Sequence, residues 1–322
     1  MSGAPAAPDA SDVAYTPCRA STSRFLPLRQ VGGRAGLRCH LRQWGELAAV
    51  TPQRPLRVLL HGWMDVAASF QFVVDAMSDA ACLVAPDWRG FGLSHGAPTD
   101  SFWFADYLAD LDALLHALQP GQPVDLIGHS MGGNIAMLYA GVRPERVRRL
   151  INLEGFGMPP TVAAMAPTRL ARWLDELREP VALHSYPSLD AVARRLRLNN
   201  PRLAPAHASW LAAHWSRADE QGAFHLLADA AHKRVNPMLA RQDEALACWR
   251  RIRAPLLWVE GAQTQLFDLW KGSYGRADFD ARLAEVAAVT SLQREVLDDC
   301  GHMLHHDQPQ RLAQRIEAFL AA

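Results

Sequence analysis

The stretch that decides the fold reads DLIGHSMGG and runs from Asp125 to Gly133. Residues 123–128 predict a buried strand, and residues 131–142 predict a helix. Ser130 therefore stands at a sharp turn from strand to helix, with a glycine two positions before it and another two positions after it. A serine in the pattern Gly-x-Ser-x-Gly at such a turn exposes its hydroxyl at the edge of a sheet, so Ser130 is a candidate nucleophile.

Strands and helices alternate on both sides of this turn. Further strands are predicted at residues 24–30, 37–44, 56–60, 81–87, 147–153, 255–260 and 293–297. Further helices are predicted at residues 67–78, 103–118, 277–288 and 309–321. Alternation of this kind predicts right-handed β-α-β units around a mostly parallel sheet, which is the α/β class.

The alternation stops in the segment of residues 157–249. Ala, Arg, Leu and Trp recur there with helical spacing, and no strand is predicted. We therefore expect a helical cap inserted between two parts of one core, residues 23–156 and 250–322. Residues 1–22 are rich in Ala, Pro and Ser, and we expect them to form a disordered tail.

Three further motifs, together with the Ser130 turn, make the chain resemble the α/β-hydrolase superfamily. The His61-Gly62-Trp63 motif looks like the oxyanion loop of that family, so the backbone N–H groups of Trp63 and Met131 are expected to form the oxyanion hole. The motif DWRGFGLS at residues 87–94 is similar to a turn that is mainly architectural in the family. The resemblance implies the α/β-hydrolase fold, an eight-stranded, mostly parallel sheet with flanking helices and an inserted cap.

The third motif, Cys300-Gly301-His302-Met303, looks like the family's loop that carries the catalytic histidine. A serine hydroxyl needs such a base to take its proton and later return it to the leaving group. His302 is therefore the predicted general base. His305 and His306 are rivals by position, but they lack the Gly-His context, and His129 is expected to point away from the reaction.

The mechanism requires a carboxylate that orients this histidine. At the position where the family usually has this carboxylate, the chain has a residue that is not an acid. The family commonly has Gly-x-x-Asp after the strand at residues 255–260, whereas this chain has Thr264 there. Glu154 ends the strand next to that of the nucleophile, an arrangement that resembles one branch of the haloalkane dehalogenases. We predict Glu154 as the acid, with Asp268 and Asp298 as alternatives. Dehalogenase chemistry itself is not expected, because those enzymes have Asp where this chain has Ser130.

The composition limits which partners and cofactors are expected for this protein. Lys+Arg and Asp+Glu both number 33, so the formal net charge is +0 and nucleic acid is not an expected partner. No apolar run is long enough to span a membrane, and five scattered cysteines fit a reducing, cytoplasmic setting. No metal set and no cofactor motif emerges, so we expect neither metal nor cofactor. A homodimer is compatible with the sequence.

The expected activity is hydrolysis of a carboxylic ester with an apolar part, by a carboxylesterase-like mechanism with an acyl-enzyme. His61, Trp210 and Trp215 are the predicted substrate-binding side chains. Thioesters, lactones, amides and carbon–carbon bonds next to a carbonyl stay open as substrates, because they share the same machinery. From another class, a ligand receptor that keeps the fold without turnover also stays open.

Overall fold

The structure, a computed structural model, describes residues 14–28, 36–78 and 81–322. The strands are β1 (Thr22–Leu28), β2 (Leu37–Trp44), β3 (Arg57–Leu60), β4 (Leu83–Pro86), β5 (Val124–His129), β6 (Val147–Leu153), β7 (Ser185–Tyr186), β8 (Ser216–Ala218), β9 (Phe224–Leu226), β10 (Leu256–Gly261) and β11 (Leu292–Leu297). The helices are α1 (Gln71–Asp75), α2 (Phe104–Leu118), α3 (Met131–Val142), α4 (Ala166–Glu176), α5 (Leu189–Asn199), α6 (Pro205–Trp215), α7 (Gln242–Trp249), α8 (Leu266–Leu269), α9 (Arg276–Ala287), α10 (Leu304–Asp307) and α11 (Pro309–Ala321).

Among the described residues, eight strands form one sheet in the order β1-β2-β4-β3-β5-β6-β10-β11. Strand β2 pairs antiparallel with β1 and β4, and every other neighbouring pair is parallel. The predicted fold class, an eight-stranded, mostly parallel sheet with flanking helices, is confirmed.

The central strands are buried because helices cover both faces of the sheet. In β5, Leu126 faces a core that includes Leu111 of α2 and Ile135 of α3. The next residue, Ile127, faces the opposite core with Val73 of α1 and Ile316 of α11. Strands covered on both faces read as continuous apolar runs, which is why the sequence located them well.

The segment of residues 157–249, called the insertion below, departs from expectation in one respect. It contains helices α4 to α7, as predicted, but also a small antiparallel sheet in the order β7-β9-β8. The expectation that this segment has no strand is therefore wrong. These strands have two or three residues each, which is too short for an alternating pattern to stand out from a helical one.

The expected disordered tail is corrected for residues 14–22. The Tyr15 ring packs edge-on against Phe72 and Trp210, and the Tyr15 hydroxyl donates a hydrogen bond to Asp75. Thr22 already belongs to β1. The segment is held by this aromatic packing together with backbone hydrogen bonds, since the N–H groups of Cys18 and Arg19 also donate to the Asp75 carboxylate. Residues 1–13 of the expected tail and residues 29–30 of the first predicted strand lie outside the described residues.

One predicted helix is shorter than expected. Residues 67–78 form a short 3-10 helix, Ala67–Phe70, followed by α1, in place of one continuous helix.

A membrane-spanning helix was not expected from the sequence. Within the described ranges, every helix is too short or too polar to cross a membrane.

Candidate active site

Ser130 occupies the turn between β5 and α3 in a backbone conformation that most residues avoid. Its φ is 51° and its ψ is −115°, a strained geometry that occurs where the surrounding structure enforces it. A Cβ on Gly128 would lie 2.4 Å from the carbonyl oxygen of Gly132, and a Cβ on Gly132 would lie 2.1 Å from that of Leu60. Only glycine fits at both positions, so the two glycines of the motif make the turn possible.

Two hydrogen bonds link Ser130 to His302 and His302 to Glu154. The His302 Nε2 lies 3.0 Å from the Ser130 Oγ, and the His302 Nδ1 lies 2.9 Å from the Glu154 Oε2. The three residues follow β5, β11 and β6 respectively, and the carboxyl ends of these parallel strands meet at one edge of the sheet. The structure therefore brings together the serine, the histidine and the acid that the sequence predicted separately.

Glu154 is fully buried, yet both of its oxygens have partners. The backbone N–H of Gly261 donates to Oε1 at 2.7 Å, and the Thr264 hydroxyl donates to Oε2 at 2.6 Å, beside the bond to His302. These three donors satisfy the hydrogen-bonding capacity of the buried carboxylate. Thr264 thus stands where the family commonly has an aspartate and supports the acid instead. The sequence offered no signal for this role.

The two alternative acids do not approach His302. Asp268 is exposed on α8, and the side chain of Asp298 is 81% exposed and lies 3.9 Å from Arg311. The rival histidines have other partners, because His305 and His306, both on α10, are buried and each lies within hydrogen-bond distance of the Ser69 hydroxyl.

The two residues predicted to supply the oxyanion donors lie beside the same cavity as the nucleophile. Trp63 and Met131 both line the cavity that contains Ser130. Met131 is the first residue of α3, where backbone N–H groups have no acceptor within the helix. Gly62 lets the preceding loop approach, since a Cβ there would lie 3.3 Å from the Cβ of Ser130. This placement is compatible with an oxyanion hole, whose role remains a prediction.

His61 does not lie where a substrate-binding residue should, and this expectation is corrected. Its side chain is fully buried and does not line the cavity with Ser130. Its Nδ1 donates to the Gly62 carbonyl at 2.8 Å, and its Nε2 accepts from the Trp88 backbone N–H at 3.0 Å. An imidazole with both nitrogens engaged by backbone holds the His61 to Trp63 loop in place instead.

The two predicted tryptophans are also corrected, because neither lines that cavity. Trp210 packs in the core between the insertion and Phe72, and the Trp215 Nε1 donates to the Asp65 Oδ1 at 3.0 Å. Aromatic residues at helical spacing more often pack between a helix and the core beneath it than contact a ligand.

Other residues that the sequence did not single out form most of the cavity wall. The cavity has a volume of about 360 Å³. Its aromatic lining comes from Trp63, Phe102, Trp103, Phe104, Tyr107, Phe156 and Trp270, and its polar lining includes Asn134 and Arg234. The run Phe102-Trp103-Phe104, directly after a loop rich in Gly and Pro, was the signal in the sequence that could have located this wall.

One group of side chains in the described part of the chain could hold a metal ion. Ligand atoms of Asp65, His129 and His305 lie within 4.8 Å of one another, and all three residues are buried. Imidazole and carboxylate are ligands that transition metals accept. The group also forms a network of its own, because the His305 Nε2 lies 3.0 Å from the Ser69 Oγ and 3.7 Å from the Asp65 Oδ2. The sequence indicated no metal set because three segments far apart in the chain supply these residues, namely the loop after β3, the end of β5 and α10.

Buried histidines near this group should make the fold sensitive to acid. Burial lowers the pKa of His61, and it lowers the pKa values of His129 and His306 well below their usual range. These imidazoles are neutral when folded and bind a proton near pH 6.5 when unfolded. Their contribution to stability is therefore complete above about pH 6.5 and is lost as the pH falls toward the folded pKa values, at about 1.4 kcal/mol per pH unit for each proton.

Urea unfolding between pH 8 and pH 5.5 measures this loss. We expect the free energy of unfolding to fall with decreasing pH below about 6.5, and the slope to be shallower in His306→Gln, which removes one of the three groups. A flat profile, or a variant slope equal to that of the wild type, contradicts the assignment of neutral buried imidazoles.

Comparisons with known proteins agree with this fold. A family model described as alpha/beta hydrolase fold matches residues 56–309. The chain is 28% identical over 291 residues to a serine hydrolase-like protein of Danio rerio, covering 86% of each chain. It is 26% identical over 270 residues to a 2-hydroxy-6-oxo-2,4-heptadienoate hydrolase of Pseudomonas putida, covering 82% of this chain and 88% of that protein. A solved thioesterase domain from the curacin biosynthetic pathway superposes with a TM-score of 0.74 at 26% identity, covering 92% of this chain and 99% of that one.

Proposed function

Because this chain belongs to the α/β-hydrolase fold family, we propose that it is a serine hydrolase that cleaves carboxylic esters through an acyl-enzyme on Ser130. The observation that carries the proposal is the chain of contacts from the Ser130 Oγ to His302 at 3.0 Å and from His302 to Glu154 at 2.9 Å. This is the geometry that lets an imidazole take a proton from a serine hydroxyl while a carboxylate stabilises the resulting cation.

The steps follow from this geometry. The Ser130 Oγ adds to the ester carbonyl carbon as its proton moves to the His302 Nε2, and the backbone N–H groups of Trp63 and Met131 bind the negative oxygen. The carbon–oxygen bond to the alcohol then breaks, and the alcohol leaves with the proton from His302. Water repeats the sequence on the acyl-enzyme and releases the acid. Glu154 keeps its charge throughout and holds the Nδ1 proton of His302 in place.

The cavity walls support a substrate with an apolar part. Aromatic side chains dominate around Ser130, and a second cavity of about 550 Å³ adjoins the first. Trp103, Phe104 and Asn134 line both cavities, and the second is lined mainly by apolar residues such as Leu138 and Leu239. An acyl chain that starts at Ser130 has room to continue there. In this proposal the insertion serves as the cap that supplies much of both walls.

A second candidate function is cleavage of another bond next to a carbonyl. Two proteins similar over most of this chain favour it, since one is named as a hydrolase of an oxo-dienoate and the other as a thioesterase domain. Both chemistries can use the same serine, histidine and acid.

Covalent labelling combined with a substrate panel tests the proposal. We expect a fluorophosphonate probe to modify Ser130 in the folded protein, with the adduct located by mass spectrometry. We expect turnover of p-nitrophenyl esters from acetate to palmitate, with the highest kcat/KM for chains longer than acetate. Thioesters, lactones and vinylogous diketones complete the panel, and a higher kcat/KM on one of these would favour the second candidate. If no adduct forms and no substrate of the panel is hydrolysed, the enzyme proposal is wrong and a ligand receptor is favoured.

A further inference from the structure

A single arginine stands in the wall of the cavity that contains Ser130. Among the described residues that line this cavity, Arg234 is the only Lys or Arg. Its side chain is only 16% exposed. His232, the other basic residue in the wall, is stacked between Phe91 and Phe102, and burial lowers its pKa to about 3, so it carries no charge near neutral pH.

The guanidinium of Arg234 has no hydrogen-bond acceptor within the described part of the chain. Its Nε is buried without a partner. The nearest carboxylate oxygen, the Asp100 Oδ1, lies 3.8 Å from Nη1, which is beyond hydrogen-bond distance, and the Asp100 side chain is 71% exposed. An ion pair to such an exposed carboxylate is weak because water and salt screen it.

The other nearby carboxylate is already engaged. Glu176 of α4 accepts hydrogen bonds from Arg172 at 2.6 Å and from the backbone N–H of Val235 at 2.6 Å. A guanidinium carries five N–H donors, and leaving them unused while largely buried costs free energy unless a ligand or water supplies acceptors.

The backbone around Arg234 is held in place before any ligand arrives. The Asp229 side chain accepts from the Ala231 N–H at 2.8 Å, the Arg234 N–H donates to the Ala231 carbonyl at 3.1 Å, and the next residue, Val235, is tied to Glu176. A fixed backbone reduces the entropy lost when the side chain binds a ligand.

We propose that Arg234 binds a carboxylate of the substrate, so that the enzyme acts on esters that carry a free carboxylate, such as hemiesters of dicarboxylic acids. This inference rests on the proposed function. The planar guanidinium matches a carboxylate through two parallel hydrogen bonds, and the aromatic walls strengthen the ion pair by excluding water.

Paired substrates test the proposal. The p-nitrophenyl hemiesters of succinate, glutarate and adipate are compared with neutral p-nitrophenyl esters of equal chain length. We expect wild type to prefer at least one hemiester by about tenfold to a hundredfold in kcat/KM, the range that a charge-assisted hydrogen bond supplies. Arg234→Gln should abolish this preference mainly through a higher KM, and Arg234→Lys should keep part of it.

Lys233 provides the matched control. It carries the same charge at the neighbouring position, but it is exposed, does not line the cavity, and its Nζ lies 5.3 Å from the centre of the Trp63 ring. Lys233→Gln should therefore leave the hemiester preference unchanged. If wild type cleaves the neutral esters without preferring any hemiester, or if Arg234→Gln keeps the preference, the proposal is overturned while the hydrolase function stands.

A binding measurement separates this proposal from turnover altogether. Calorimetry with monomethyl glutarate on Ser130→Ala should show binding that Arg234→Gln in the same background weakens about tenfold or more. Binding that is absent, or that Arg234→Gln does not change, overturns the carboxylate site even if no ester of the panel is hydrolysed.

Discussion

Ser130→Ala is expected to reduce kcat on the best ester of the panel by about 10⁶-fold, because the hydroxyl that forms the acyl-enzyme is gone. The remaining rate would come from substrate binding and from the backbone N–H groups of Trp63 and Met131, which polarise the carbonyl for attack by water. The change removes one oxygen from a helix start without touching the glycines that shape the turn, so the fold should persist.

Single and combined variants distinguish this role from a general loss of structure. His302→Ala alone, Ser130→Ala alone and the two together should all show nearly the same loss, because residues that act as one unit are not additive. Ser185→Ala, which alters an exposed serine of β7 in the insertion, should retain normal turnover. Turnover by Ser130→Ala within tenfold of the wild type, or losses that multiply in the double variant, would refute the acyl-enzyme on Ser130.

Glu154→Gln is expected to reduce kcat by about 10⁴-fold with little change in shape. The amide has no charge to stabilise the protonated His302, and its NH₂ group can turn the imidazole to the wrong tautomer. The effect should appear in kcat more than in KM, because Glu154 acts on the reaction only through His302, whose Nδ1 lies 2.9 Å from the Glu154 Oε2.

Three matched variants sharpen the test of Glu154. Asp268→Asn and Asp298→Asn remove the two alternative acids and should leave kcat near that of the wild type, because both side chains are exposed and form no contact with His302 in the described structure. Thr264→Val removes one hydrogen bond to Glu154 but no charge, so a loss of about tenfold or less is expected. Near-normal turnover of Glu154→Gln, or a large loss in Asp268→Asn or Asp298→Asn, would show that the acid lies elsewhere.

The site residues that the sequence predicted are those on which local constraints leave a pattern. Gly128 and Gly132 are required by contacts under 2.5 Å to backbone oxygens, so the turn around Ser130 leaves a pattern within five residues of chain. His302 and Glu154 could be predicted because they follow predicted strands, and strand ends in a parallel sheet converge at one edge. The predictions that His61, Trp210 and Trp215 bind substrate were wrong for one reason. The sequence pattern of an aromatic or histidine side chain is the same whether the side chain packs in a core or faces a cavity.

By itself, the sequence determined the parallel sheet, its flanking helices and the place of Ser130 in the turn after a central strand, because apolar runs and glycine positions are local consequences of burial and backbone geometry. Only the tertiary structure decided that Thr264 donates to Glu154 and that Arg234 enters the cavity wall with its hydrogen-bond donors unused. Both facts depend on which segments meet in space. Contacts between residues as distant as Glu154 and Thr264 leave no periodicity in the chain, and burial of a charged group becomes visible only when its surroundings are assembled.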